Sequence, residues 1–274
     1  MSARALSPGA PQMPPDDPIA RGRVDLACAL RQAARMGLAE GVCNHFSFAL
    51  PGLDDRFLIN PQGLHWSEIR AADVLLIDGA GHVLDGPHTV EPTAFFIHAR
   101  IHRANPRARC VLHTHMPFAT ALTLLREPQL LPASQTALKF HGRIACDPVY
   151  NGLVLDDAEG DRIVAALGDA DVLFMANHGV IVAAPSVAWA FDDLYYLERA
   201  CMLQVLAEGT GRKLRLIDRK VAEHTARQMD AERQQSDLHF AALARELDRL
   251  DPMWRRLDAP NPSPVPVARR KARG

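Results

Sequence analysis

The chain has 274 residues, 48% of them hydrophobic and 23% charged, which is the balance of a globular protein able to bury a sizeable core. A formal net charge of −1 leaves no global field that would draw nucleic acid or an anionic membrane. Five scattered cysteines without a C-x-x-C pair argue against a disulfide framework and a zinc ribbon and fit a reducing cytosol. No apolar run reaches the roughly 18–20 residues of a membrane helix, and "MSARALSPGAPQMPPDDP" holds no signal-peptide core.

Residues 1–18, rich in proline and small side chains, read as a disordered arm. In "IARGRVDLACALRQAARMGL", Val24, Leu26, Leu30, Ala34 and Leu38 fall near helical spacing, predicting a helix that ends at Gly37 or Gly41. "HFSFALPGLDDRFLIN" predicts two strands, 46–50 and 57–59, around a turn at 51–55. A short helix from about Ser67, a strand over 74–77 and a hairpin turn at 78–81 follow. "EPTAFFIHARIHRANP" predicts a helix with Pro92 in its first turn, closed by Pro106. "RCVLHTH" is a strand, Pro117 opens a further helix, and a less regular stretch runs to about Asp161. The next segment reads as helix, buried strand, glycine turn, strand and a long helix to Glu208. Residues 213–250 are polar and helical, with Val221, Leu238, Phe240, Leu243 and Leu247 as their apolar positions. From Asp251 the chain is proline-rich and ends "ARRKARG", a flexible basic tail read as solvated rather than as a nucleic-acid arm. Strands and helices alternate without an internal repeat, so residues 19–250 are expected to form one layered α/β domain between the arm and the tail of residues 251–274.

Histidines carry the chemical signal. His113 and His115 sit two apart at a strand end, so they share a face with Val111 while Cys110, Leu112 and Thr114 take the other. Two imidazoles aimed at one point suit zinc and other late divalent ions. Alone, H-x-H reads more often as an ordinary polar strand end than as a metal pair. "VLFMANHGV" supplies His178 in the same setting, after a buried strand and before a glycine that lets backbone pass close to a ligand. Its plainer reading is a turn histidine. His98 is expected to pack on its helix and hold a ligand histidine in its tautomer. His102 is expected at the surface, and His45, His65, His82, His88, His224 and His239 at the surface or in turns.

Four segments resemble the class II aldolase/adducin family, in the family's order: "GVCNHFSF" (41–48), "LINPQGLHWSEI" (58–69), "HARIHRANPRARCVLHTHMPFATAL" (98–122) and "NHGVIVAAPSVAWAFDDLYYLERAC" (177–201). Together they span roughly residues 20–210, and "NHFS" and "LERACMLQ" look closer to the adducin-like bacterial branch than to the sugar-phosphate aldolases. The resemblance implies a three-layer α/β/α domain with a central, mostly antiparallel sheet. It implies His113, His115 and His178 as metal ligands, and a cyclic homotetramer with the site near a subunit interface. Two departures matter. The position of the aldolases' acid/base glutamate is Ala94, which makes Glu91, one turn earlier, the candidate catalytic acid or base. The serine-rich phosphate loop is replaced by "GPHTVEP", which argues against a phosphorylated sugar. Asn44 and Gly63 match the remaining phosphate-loop positions and are candidates to bind a carboxylate or phenolate, or to shape turns. Gln135, Lys139 and His141 in "SQTALKFHGR" form a polar stretch that could contact substrate, across a subunit interface included.

Three neutral histidines leave a divalent ion its full charge and open positions, so it acts as a Lewis acid. That suits a lyase of aldolase or decarboxylase type acting on a small oxygenated carbonyl or carboxylate compound through a stabilised enolate. Zinc is the expected ion by affinity, with manganese or iron set by availability. The same three-histidine set would serve an Fe(II) oxygenase. A non-catalytic, adducin-like binding or scaffold protein is the reading from outside enzymology.

Overall fold

The computed structural model of the protein describes residues 17–53, 55–262 and 264. Of the arm expected over residues 1–18, residues 1–16 lie outside the described residues, as does the "ARRKARG" end, while Asp17 and Pro18 already cap and begin the first helix. Eight strands form one sheet: β1 (His45–Ala49), β2 (Arg56–Ile59), β3 (Leu75–Asp78), β4 (Val83–Asp85), β5 (Cys110–Thr114), β6 (Ile144–Asp147), β7 (Val172–Met175) and β8 (Gly179–Ala184). Their order is β4-β3-β2-β1-β5-β8-β7-β6, and every neighbouring pair is antiparallel except β6–β7. The helices are α1 (Pro18–Arg35), α2 (Pro92–Ala104), α3 (Pro117–Thr123), α4 (Gln135–Leu138), α5 (Asp157–Leu167), α6 (Val187–Glu208), α7 (Arg219–Ala231) and α8 (Gln234–Leu250). The expected three-layer α/β/α fold with a mostly antiparallel sheet is the fold observed.

The layering follows from alternation along the central strands. Cys110 and Leu112 of β5, Val180 and Val182 of β8, and Val172 and Phe174 of β7 join the core under α1, α3, α6 and α8. The intervening Val111, Ile181 and Leu173 join a second core under α2 and α5. Strands buried on both faces read as near-continuous apolar runs, which is why "RCVL", "VLFM" and "GVIVAA" stand out in the sequence. Helix starts follow capping chemistry: the Asp17, Asp156 and Ser186 side chains accept backbone N–H groups at the first turns of α1, α5 and α6.

Beyond α6 the structure departs from the sequence expectations. Phe240, Leu243 and Leu247 of α8 are buried, but Val221 and Leu238 are exposed. The outer helices are held as much by charge as by apolar contact. Asp193 on α6 is fully buried and accepts from Arg143 at 2.8 Å and from Arg233 at 2.7 Å. Asp192 accepts from Ser236 and His239, both at 2.7 Å. Its carboxyl is held down at about 2; burial opposes this, and the bonds from His239, Lys139 and Ser236 prevail. Nor is the segment after Asp251 a loose tail as far as Pro262. The Trp254 side chain is fully buried, and the Trp254 and Arg256 carbonyls accept from Ala71 and Ala72 at 2.9 and 3.1 Å. Asn261 donates to both carboxylate oxygens of Asp73, at 2.6 and 2.8 Å. His88, expected at the surface or in a turn, meets the same buried Asp73 at 3.0 Å. Proline-rich composition hid this because one tryptophan and a few backbone bonds suffice to dock a segment without periodicity.

Trp254→Ala should therefore destabilise the protein by about 3–5 kcal/mol, the range for emptying a buried aromatic site. Urea unfolding measures this, and wild-type stability would show that the segment does not bind to the body.

Candidate metal centre

His113 continues the Val111 face of β5 and is buried; His115 lies just past the strand end. His178 lies in the short link between β7 and β8. Antiparallel pairing of β5 with β8 sets Thr114 opposite Val180, so the end of one strand meets the start of the other. The three rings converge with centroids 4.9 to 5.0 Å apart, and one ligand atom from each lies within 4.8 Å of the others.

Two neighbours of His178 make this convergence fit. Asn177 takes the left-handed φ of +56°, a conformation asparagine tolerates better than most residues, and donates its N–H to the Thr123 carbonyl at 3.1 Å. Gly179 opens β8, and a Cβ there would stand 2.6 Å from both the His115 ring and the Thr114 carbonyl. The expected glycine turn thus divides its work: Asn177 turns the chain, and Gly179 clears room for His115.

In two of the three rings the nitrogen facing away from the centre is anchored. His113 Nδ1 donates to the Val180 carbonyl at 3.0 Å, which leaves Nε2 as a bare lone pair in the neutral ring. His115 Nδ1 bonds the Glu40 carboxylate, and its buried Nε2 has no partner. Burial first, then the neighbouring histidines, hold the His113 ring far below its usual pKa and bring His178 to about 4. These two rings are neutral near pH 7. An orphaned buried nitrogen costs about 1–3 kcal/mol unless something fills the space beside it. Close neutral imidazoles around that orphan are the donor set of a divalent metal, and the residues present fit one.

Sequence reasoning placed His45 at the surface or in a turn, whereas it is buried and paired across the strands with His113. Its Nε2 lies 3.3 Å from Glu91 Oε2. Burial brings this ring to about 4, the Glu91 charge opposing. Glu91 is the N-cap of α2, its Oε2 accepting the Ala94 N–H at 3.1 Å, so the structure brings the expected catalytic carboxylate beside His45. Ala94 is fully buried in the small core of Phe57, Ile59 and Leu75, where a glutamate would be costly. His102 is likewise not a surface group. Its Nδ1 donates to the Ala108 carbonyl at 2.8 Å, so its Nε2 accepts from the Ser47 hydroxyl at 2.7 Å. Ser47 in turn accepts from His98 Nδ1 at 2.6 Å, leaving His98 Nε2 a buried lone pair without a partner. His98 thus bonds Ser47 and not a ligand histidine, although its ring stands perpendicular to His45 at 6.1 Å.

Asn44, with φ of +71°, is buried beside His45, and its Oδ1 has no hydrogen-bond partner. Gly63 has φ of +85°, and a Cβ there would press on Pro264 at 3.1 Å, so its role here is at least conformational. Gln135 lines a separate cavity of about 500 Å³ with Lys139, Asp192 and Tyr196, a cavity that includes none of the three histidines. His141 follows α4, which packs on α6 and α7. Within one chain neither Gln135 nor His141 joins the histidines, because the ion pairs of Lys139 with Asp192 and Asp193 tie their segment to α6.

The family model for the class II aldolase and adducin N-terminal domain matches residues 24–205. A protein of Pseudomonas aeruginosa named for the class 2 aldolases is 34% identical over 85% of this chain and 91% of its own length. The decarboxylase NovR of Streptomyces niveus is 32% identical over 81% of this chain and 84% of its own. A 4-hydroxy-3-prenylphenylpyruvate oxygenase/4-hydroxy-3-prenylbenzoate synthase of Streptomyces roseochromogenus is 32% identical over 81% and 82%. The crystal structure of an aldolase II superfamily protein from Pseudomonas syringae superposes with a TM-score of 0.82 at 35% identity, covering 88% of this chain and 97% of that one. L-fuculose 1-phosphate aldolase of Glaciozyma antarctica shares the fold, with a TM-score of 0.78 at 23% identity over 92% of this chain and 97% of that one.

Gly179→Ala tests the packing of the site. The added methyl must displace the His115 ring, so zinc affinity should fall at least about tenfold, as when ligand orientation is lost. Chelator competition measures this, with circular dichroism to verify the fold. Unchanged affinity would mean that His115 does not need its observed position.

Proposed function

The chain belongs to the class II aldolase and adducin family, and we propose that it is a metal-dependent carbon–carbon lyase acting on a small, unphosphorylated substrate with a carbonyl beside a hydroxyl or carboxylate. The observation that carries this reading is the convergence of His113, His115 and His178, the first buried and the other two partly so, with an orphaned His115 Nε2. These three residues would hold a divalent ion, zinc by affinity, with manganese or iron as alternatives set by supply. When bound, such an ion supplies Lewis acidity toward a substrate oxygen.

The chain's own groups would do the rest. Glu91 is the acid or base, poised against His45 at the edge of the histidine cluster. Asn44 Oδ1, buried and unpartnered, would accept a hydrogen bond from a substrate hydroxyl. The segment "GPHTVEP", standing where the family carries its serine-rich phosphate loop, supports an unphosphorylated substrate. A homotetramer is the assembly that the family resemblance brings with it, and the scattered cysteines fit a cytoplasmic setting. Among the described residues no helix is long and apolar enough to cross a membrane.

Decarboxylation is favoured over aldol cleavage by the likeness to the Streptomyces niveus decarboxylase. The likeness to the prenylphenylpyruvate oxygenase supports a second reading, Fe(II)-dependent oxygenation at the same three histidines. A panel of 3-oxo acids, hydroxy acids and hydroxy ketones, incubated with metal-loaded protein, separates the two when dissolved oxygen is followed with product. The lyase reading predicts product release without oxygen uptake. It also predicts a kcat about 10²–10⁴-fold lower in Glu91→Gln, with metal content retained. Oxygen uptake matching product would replace it by the oxygenase. Absence of any turnover across the panel would favour a binding or scaffold role.

A further inference from the structure

A histidine that holds a metal through one nitrogen nearly always donates its other N–H to a fixed acceptor. His113 has the Val180 carbonyl for this, and His115 has Glu40. Among the described residues the His178 ring makes no hydrogen bond, so its acceptor has to be sought around it.

Asp147 ends β6, the strand paired in parallel with β7, and sits beside Met175, three residues ahead of His178. It is 2% exposed. One carboxylate oxygen, Oδ1, is occupied by Arg162 at 2.7 Å and the Val149 N–H at 3.1 Å. The other, Oδ2, is buried and has no partner. A buried carboxylate oxygen without a donor is expensive, and its presence calls for one. Asp147 and His178 line the same small cavity, of about 10 Å³, with Tyr150 on its wall. That is room for about one water.

We propose that Asp147 is the positioning residue of His178: its Oδ2 accepts the ring N–H, directly or through one water in that cavity, and so fixes the tautomer whose other nitrogen faces His113 and His115. Arg162 and the Val149 N–H hold the carboxylate by its other oxygen, which keeps Oδ2 turned to the cavity. The assignment rests on the metal-centre reading, but it makes a claim about the ring that holds without metal.

The test begins with metal-free wild-type protein. Long-range ¹H–¹⁵N correlation of the imidazoles, with the His178 signals identified by their loss in His178→Gln, reads which ring nitrogen carries the proton. One tautomer should dominate; two comparably populated tautomers would overturn the proposal. Asp147→Asn is the second arm. Arg162 and the Val149 N–H keep the amide oxygen, so the NH₂ takes the place of Oδ2 and the proton should move to the opposite nitrogen of His178. Zinc affinity by chelator competition should then fall about ten- to hundredfold. Tyr150→Phe should change neither quantity. A folded Asp147→Asn protein with the wild-type tautomer and affinity, or a loss seen only in Tyr150→Phe, would overturn the assignment. Wild-type protein that takes up no zinc would defeat the metal reading, while the tautomer measurement would still decide the role of Asp147.

Discussion

Three imidazole rings that meet in so small a space repel one another when charged, and to hold one ion each needs a lone pair at the point where they meet. Much of the local architecture serves this condition. The sheet buries His113, the Val180 carbonyl accepts a hydrogen bond from its Nδ1–H, and Gly179 lacks the side chain that would displace His115. Desolvation then holds His113 and His178 in the uncharged form across the physiological range. A neutral, convergent set of nitrogens is costly in a protein without a ligand and well matched to a divalent ion.

Strand order explains why this can happen in the middle of the sheet. β5 lies between β1 and β8, so residues from three strands and one hairpin link meet at its end. His45 enters from β1 by register with His113, and Glu91 reaches it from the cap of α2. A carboxylate that caps a helix is held by the backbone N–H it accepts, so its distance to His45 does not depend on a flexible loop. The Ser47–His98–His102 chain lies on the same face and directs each proton away from His98 Nε2. The side of the sheet under α2 therefore carries the polar chemistry, and the side under α1 and α6 carries the larger apolar core.

The layered α/β class and the strand-end placing of the three central histidines were legible locally, whereas the mostly antiparallel sheet and the histidines' joint role came from the family resemblance. Apolar runs ending in "HTH" and "NHG" give the strand, its face and its end without knowledge of any partner. His45, His88 and His102 were not legible. Each is buried by a residue far along the chain, His45 by the register with β5, His88 by Asp73, and His102 by Ser47 and the Ala108 carbonyl. Asp147 was silent for the same reason: a lone aspartate at a strand end acquires meaning only when β6 aligns with β7. Gln135 and His141 drew attention as part of a polar stretch in an apolar region, and within that stretch Lys139 pairs with Asp192 and Asp193 and fastens the end of α4 to α6. Val221 and Leu238 show the converse, apolar residues at helical spacing that face outward.

The central claim is that His113, His115 and His178 hold one divalent ion. Metal content per subunit, measured by mass spectrometry on protein purified without a chelating tag, tests it most directly, in the wild type and in His113→Ala. The account predicts close to one ion per wild-type subunit and its loss in the variant. A wild-type protein that carries no ion and takes up neither zinc, manganese nor iron would contradict it.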